Sequence, residues 1–285
     1  MKKPYLTSEK IYSFIQAALN EDVGEGDHSS LAAIPSDKIG KAHLLIKEDG
    51  IIAGLELAKM IFEYYDPSLQ VHLLLEDGQK VKKGDIGLTV TGNAISILTT
   101  ERLVLNCLQR MSGIATKTHH FSTLICHTKA KLLDTRKTTP NFRLIEKWAV
   151  ALGGGENHRF ALYDMIMLKD NHVDFAGGIR ESIEATHSYL KTKNLDLKIE
   201  VETRNLEEVQ EVLKVGGVDF IMLDNMDYEM MKTAVMMIGD HCKTEASGGI
   251  TAETLLKVAE CGVDFISVGE LTHHIKSMDI SLKAV

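Results

Sequence analysis

Apolar and polar residues follow three rhythms along this chain. Residues 7–20 (TSEKIYSFIQAALN) put Ile11, Phe14, Ile15 and Ala18 at i, i+3, i+4 and i+7, the spacing of one helix face, with Thr7 or Ser8 placed to cap it. From about 41 to 97 the rhythm shortens: AHLLIKE, VHLLLED and IGLTVTG read as strands between DG, GQ and KKGD turns, with one helix over 52–65. Residues 97–126 read as a long helical region striped by Leu98, Leu105 and Leu108. Its SGIAT segment allows close backbone approach and predicts a kink or a passage to a second domain. From 131 onward short apolar strands at 131–134, 165–168, 197–201, 218–223, 242–246 and 263–268 alternate with amphipathic helices at 141–152, 178–192, 205–214, 227–238 and 251–261.

Two of these later units, NLEEVQEVLKVGGVDFIMLD and TAETLLKVAECGVDFISVG, share one plan of capped helix, glycine turn and VDFI strand. Repeated βα units imply a parallel sheet, open or closed. Nearly every strand ends on a polar residue or glycine: Asp134 to Lys137, Lys169 and Asp170, Glu200 or Glu202, Asp224 and Asn225, Glu245 and Ser247, Gly269. An open sheet gathers its site at one switch point, whereas a barrel gathers it along all the C-terminal strand ends. The pattern therefore favours an α/β barrel behind a small N-terminal α+β domain.

Composition narrows the function. Of 285 residues, 44% are hydrophobic and 25% charged, an ordinary soluble globular balance, and the formal net charge of -8 argues against a nucleic-acid partner. Cys107, Cys126, Cys242 and Cys261 form no metal-ligand spacing and read as reduced thiols. The N-terminus, MKKPYLTSEKIYSF, lacks a signal-peptide core, and no apolar run approaches the ~18 residues of a membrane helix, so no membrane association and a cytoplasmic location are expected.

Against that acidic background, Arg136, Lys137, His158, Arg159 and Lys169 crowd cations into one span between two strand ends. Guanidinium forks suit carboxylate or phosphate, and lysine acts as a point charge, so a polyanion or two anionic ligands are expected. Arg143, Glu146 and Lys147 read instead as the outer face of a helix, and Arg102 beside Glu101 as a surface pair. His43 and His72 read as structural residues on strand faces. Glu202 and Asp224 end successive strands and suit ribose hydroxyls, magnesium or acid–base work. Glu200 shares a strand face with Glu202, and one of the two is expected only to support the other. EASGGITAETL and ISVGELTH offer backbone N–H groups to a phosphate. GEGDHS follows a helix rather than a strand and fails as a dinucleotide loop.

The motifs TTERLVLNCLQRMSGIAT, LLDTRKTTP, GGGENHRFALYDMIMLKDNH, IEVET, IMLDN, EASGGIT and ISVGELTH, in this order, resemble the quinolinate phosphoribosyltransferase family over nearly the whole chain. The resemblance implies an N-terminal α+β sandwich-like domain at 1–115, joined by 272–285, and an incomplete TIM-like α/β barrel at 116–271. It implies transfer of phosphoribosyl from phosphoribosyl pyrophosphate to quinolinate with decarboxylation, assisted by Mg2+ and no organic cofactor. Carried over by motif, Thr135, Arg136, Lys137, His158, Arg159 and Lys169 bind quinolinate, with Lys137 able to reach the diphosphate. Glu202 and Asp224 face the ribose and its metal. Ser247, Gly248, Gly249, Val268, Gly269 and Glu270 hold the 5′-phosphate. Arg102 reaches quinolinate from the neighbouring subunit, which makes a homodimer with a shared site necessary; a higher oligomer is compatible. Lys137, Lys169, Glu202 and Asp224 are the expected catalytic residues. The competing readings are a related transferase on another carboxylated base, a barrel lyase using Lys169 as a Schiff-base nucleophile, and a metabolite sensor without turnover.

Overall fold

The computed structural model describes residues 4–285. Lys2 and Lys3, weighed in reading the N-terminus, lie outside the described residues. The chain forms two compact units. One comprises the chain to His119, Thr138–Gly154 and Leu271–Val285; the other comprises His120–Lys137 and Gly155–Glu270.

In the first unit, α1 (Ser8–Val23) starts where the Thr7 side chain accepts the Lys10 N–H, and it buries Ile11, Ile15 and Leu19. The expected GEGDHSS turn contains a short helix, α2 (His28–Ala33), because the Asp27 carboxylate accepts the Ser30 N–H and caps it. Strand β1 (Ile39–Ile46) pairs antiparallel with β5 (Ile86–Asn93), which pairs antiparallel with β3 (Gln70–Leu73). Between them, β2 (Gly50–Ile51) and β4 (Lys80–Val81) make a small ladder. Helix α3 (Leu55–Tyr65) is capped from a distance, its first N–H groups donating to the Asp77 carboxylate from Gly54 at 2.7 Å and Leu55 at 2.8 Å.

Helix α4 (Ala94–Leu124) runs unbroken through SGIAT, and the chain passes from one unit to the other within it, after His119. The small residues serve the close backbone approach expected of them: a Cβ on Gly113 would lie 2.3 Å from the Lys276 carbonyl oxygen. A correction concerns α5 (Arg143–Leu152), on which Glu146 and Lys147 are fully buried rather than on an outer face. Glu146 accepts the Arg110 guanidinium at 2.7 Å and the Thr139 N–H at 3.1 Å. A buried carboxylate persists only with such partners.

The second unit is a six-stranded parallel sheet with its crossover helices. In chain order it runs β6 (Lys131–Leu133), β7 (Ile166–Leu168), α6 (Asp170–Ala176), α7 (Ile179–Lys193), β8 (Ile199–Thr203) and α8 (Leu206–Val215). It continues with β9 (Phe220–Asp224), α9 (Tyr228–Ile238), β10 (Lys243–Ser247), α10 (Ala252–Ala259) and β11 (Phe265–Ser267). The pairing order is β6-β11-β10-β9-β8-β7. That is the sequential order closed into a ring and cut at one seam, between β6 and β7. A doubly wound sheet would instead reverse direction at a switch point. The fold is therefore an incomplete α/β barrel. Helix α6 was not expected; the Lys169 N–H donates to His172 Nδ1 at its start, and Gly177 at φ 96° ends it.

The two VDFI repeats do the same local work. Asp219 accepts the Ile199 N–H at 2.8 Å, and Asp264 accepts the Thr244 N–H at 3.0 Å. Each aspartate, lying just before its own strand, satisfies a backbone donor at the start of the neighbouring one. After α11 (Glu270–His273) the chain returns to the first unit, where β12 (Ile280–Ala284) pairs antiparallel with β1, Ala42 opposite Ala284. That sheet reads β12-β1-β5-β3. Among the described residues no helix is long and apolar enough to cross a membrane.

Candidate active site

The opposing edges of the seam carry the cationic residues. Asp134, fully buried just past β6, accepts the His158 N–H at 2.9 Å and the Asn157 side-chain amide at 2.6 Å. A single parallel bridge joins Leu133 to Glu156. The GGGENHR segment is thus tied to the end of β6, and the Arg159 guanidinium feels the charge of Arg136. Thr135 stiffens that end by accepting the Lys137 N–H at 3.0 Å. The Arg159 guanidinium donates to the Met165 carbonyl at 3.2 Å. Burial, and then the nearby Arg136 guanidinium, lower its basicity. Two like charges held together in a half-buried place leave an anion strongly favoured there.

Alternation along β8 sends Glu200 and Glu202 to one side of the strand, and each takes a different cation. Glu202 pairs with Lys169 at 2.8 Å; its side chain is 8% exposed against 47% for the lysine. Glu200 Oε2 lies 2.8 Å from His158 Nε2, and Glu245 Oε2 from β10 lies 3.3 Å from the same nitrogen. Burial first, and the Glu245 charge second, push Glu200 up to about 7. Burial opposes charge on His158, but hydrogen bonds and charge from the two carboxylates outweigh it and raise the ring's hold on a proton. The cluster as a whole holds its protons more tightly than free side chains would. Nδ1 already accepts the Arg159 N–H at 2.7 Å. The retained proton therefore belongs on the Nε2 and carboxylate side.

The remaining strand ends carry the glycine loops. Asp224 ends β9 and accepts the Asn225 side-chain amide at 2.7 Å. Asn225, in the left-handed region at φ 54°, donates its N–H to the Ser247 carbonyl at 3.0 Å. Gly248 is required by this packing: at φ 100°, a Cβ there would lie 2.2 Å from Asn225 Oδ1. Gly249, at φ 57°, has nothing within 4 Å of the same position, so a Cβ there would meet open space. The Val268 N–H is already donated to the Leu133 carbonyl at 3.0 Å. Arg102 is exposed on α4, in the other unit.

Sequence reading left the division between Glu200 and Glu202 open, and the geometry resolves it: Glu202 belongs to the lysine and Glu200 to the histidine. It did not single out Asp134 or Glu245 as partners of the cationic span. The available signal for Glu245 was its spacing, two residues before Ser247 and hence on the same face of β10.

The charged groups described here lie at the C-terminal ends of parallel strands, where α/β-barrel enzymes work. That makes the class a barrel enzyme acting on anionic substrates. Its family follows from comparison with known proteins: the chain belongs to the quinolinate phosphoribosyltransferase family. The quinolinate phosphoribosyl transferase C-terminal domain matches residues 114–283, and the N-terminal domain matches residues 27–112. The chain is 48% identical to a chloroplastic nicotinate-nucleotide pyrophosphorylase (carboxylating) of Arabidopsis thaliana, covering 99% of this chain and 85% of the relative. It is 47% identical to a mitochondrial quinolinate phosphoribosyltransferase (decarboxylating) of Nicotiana glauca, covering 99% and 84%. The crystal structure of NadC from Streptococcus pyogenes superposes with a TM-score of 0.91 at 38% identity, covering 98% of this chain and 99% of that one.

Proposed function

We propose that this enzyme transfers the phosphoribosyl group of phosphoribosyl pyrophosphate to quinolinate and releases CO2, giving nicotinate mononucleotide and pyrophosphate for NAD synthesis. The observation that carries this reading is the Arg136 charge, close enough to Arg159 to lower its basicity, together with the Lys169–Glu202 ion pair. It supplies cations for a dicarboxylate next to a carboxylate for the sugar. Thr135, Arg136, His158, Arg159 and Lys169 form the quinolinate site, and Lys137 reaches the diphosphate. Ser247, Gly248, Gly249, Gly269 and Glu270, with Val268 as a packing residue, form the 5′-phosphate site.

Bond breaking at the ribose carbon leaves positive charge there. Glu202, 8% exposed, stabilises that charge in a nearly dry setting, where fixed charges act most strongly. Asp224 holds the sugar from the next strand. The cations orient the quinolinate ring nitrogen towards the ribose carbon, and positioning of this kind accounts for much of the rate. Once the ring nitrogen is quaternary, the bond to the neighbouring carboxylate breaks and CO2 leaves; the electron pair stays on the ring carbon, stabilised by the adjacent positive nitrogen, and that carbon then takes up a proton.

The oxygen donors of Glu202 and Asp224 fit Mg2+, which uses one or two carboxylates together with substrate phosphates. When bound, the ion would neutralise charge developing on the diphosphate. No organic cofactor is required. The working form is a homodimer in which Arg102 of one subunit completes the quinolinate site of the other, and the location is cytoplasmic. The division into a small N-terminal domain and a barrel domain is the arrangement on which this sharing depends.

Purified protein incubated with quinolinate, phosphoribosyl pyrophosphate and Mg2+ is expected to form nicotinate mononucleotide. Absence of product with both substrates shown to bind would favour a metabolite sensor. Product from another carboxylated base alone would favour a related transferase.

A further inference from the structure

Both ring nitrogens of His158 face protein atoms. Nδ1 accepts the Arg159 N–H at 2.7 Å, while Nε2 faces Glu200 at 2.8 Å and Glu245 at 3.3 Å. A neutral imidazole has one donor nitrogen and one acceptor nitrogen. With Nδ1 as acceptor, the ring proton sits on Nε2, between two carboxylates from strands β8 and β10. One carboxylate would satisfy that N–H. The second, Glu245, is 1% exposed, and its Oε1 has no hydrogen-bond partner, as is also true of Glu200 Oε1. A buried carboxylate so poorly satisfied is costly. The three ligand atoms also satisfy the spacing of a metal site. The 2.8 Å contact between Nε2 and Glu200 is nevertheless a hydrogen-bond distance, and the Nε2 proton that the Nδ1 acceptor role implies accounts for it without an ion.

We propose that Glu245 is a positioning residue of the cationic pocket. Together with Glu200 it fixes the tautomer and ring plane of His158 from two strands at once. His158 in turn fixes the Arg159 backbone through Nδ1, and so sets the guanidinium beside Arg136. On this geometry His158 also acts on the dicarboxylate through Arg159. The inference rests on the reading of this pocket as the quinolinate site and deepens it.

The test compares Glu245→Leu and Glu245→Gln with the wild type, by quinolinate and phosphoribosyl pyrophosphate kinetics and by nitrogen NMR of the His158 ring. The wild-type ring is expected to be the Nε2–H tautomer. In Glu245→Leu the tautomers should mix. The KM for quinolinate should rise about tenfold or more while that for phosphoribosyl pyrophosphate stays within about twofold. Glu245→Gln keeps a carbonyl acceptor and should restore most of the quinolinate KM and the tautomer. A folded Leu variant with unchanged tautomer and unchanged quinolinate KM overturns the proposal, as does an equal rise in both KM values. If the Leu variant does not fold, Glu245→Gln and Glu245→Ala carry the comparison, and an Ala variant indistinguishable from wild type overturns the proposal. A wild-type enzyme that makes no nicotinate mononucleotide overturns the proposed reaction. In that case the ring tautomer and the affinity for quinolinate alone, compared between wild type and variants, still decide the role of Glu245.

Discussion

Lys169 Nζ stands 2.8 Å from Glu202 Oε2, a half-exposed cation against a nearly buried carboxylate. The pair joins the two halves of the proposed site, one facing the dicarboxylate and the other the sugar. It also bears on the lyase alternative, because a lysine engaged as the cation of an ion pair is not presented as a free amine. Brief borohydride treatment with a phosphorylated sugar aldehyde such as ribose 5-phosphate present, which could form an imine with a reactive lysine, is expected to leave Lys169 unmodified, as judged by peptide mass. A reduced adduct at Lys169 would sink the transferase reading. Glu202→Gln should lower kcat by about 100-fold or more while the protein stays folded, as removal of a charge-stabilising group does.

The His158, Glu200 and Glu245 cluster makes stability depend on pH in a definite direction. Folding raises Glu200 from its ordinary 4.5 to about 7. A group raised on folding contributes stability below its unfolded pKa and loses it as pH rises through the folded value. Glu200→Gln mimics the protonated carboxyl. The unfolding free energy of wild type minus that of Glu200→Gln is therefore expected to fall between pH 5 and pH 8, by on the order of 1–3 kcal/mol. Urea titrations at several pH values measure this, and a difference that stays flat or rises contradicts the assignment.

Neighbouring glycines should respond unequally. Gly248→Ala sets a Cβ 2.2 Å from Asn225 Oδ1 at φ 100°, while Gly249→Ala enters open space at φ 57°. The second should cost ~1 kcal/mol for the left-handed backbone alone. The first should cost more than ~2 kcal/mol and displace Asn225 from Asp224. Thermal melts together with the KM for phosphoribosyl pyrophosphate separate the two. Equal destabilisation would mean that Asn225 yields without cost.

Arg102→Ala should weaken quinolinate use and leave the melting temperature unchanged, since Arg102 is exposed on α4. Mixed with an inactive Lys169→Ala partner, it should regain part of the lost activity, because one site of the heterodimer then keeps both residues. Heterodimers demonstrated by tagging but still inactive would count against a shared site.

Much of the barrel was legible because its βα units repeat and their strands are continuous apolar runs. The VDFI repeats even share the role of their aspartates. Burial on a polar helix was not legible. Glu146 and Lys147 look like a solvated face, and only contacts distant in sequence, such as Arg110 with Glu146, show otherwise. The same limit applied at SGIAT, where small residues are compatible with a bend or with a close neighbour; Lys276, 163 positions after Gly113, is that neighbour. In the site, the residue types were readable but the partnerships were not. Glu200 and Glu202 are equivalent by periodicity and are told apart by which cation reaches each from β6 and β7.

The pairing of Ala42 with Ala284 gives synthesis of the chain a particular timetable. Strand β1 is among the earliest segments to emerge from the ribosome, yet one of its edges stays open until Ile280–Ala284 has been made. The barrel strands between them can find their parallel neighbours while that edge waits. An exposed strand edge is a template for unwanted pairing. The interval before β12 arrives is thus when the nascent chain is most open to association with other copies, and a stall late in translation would prolong it.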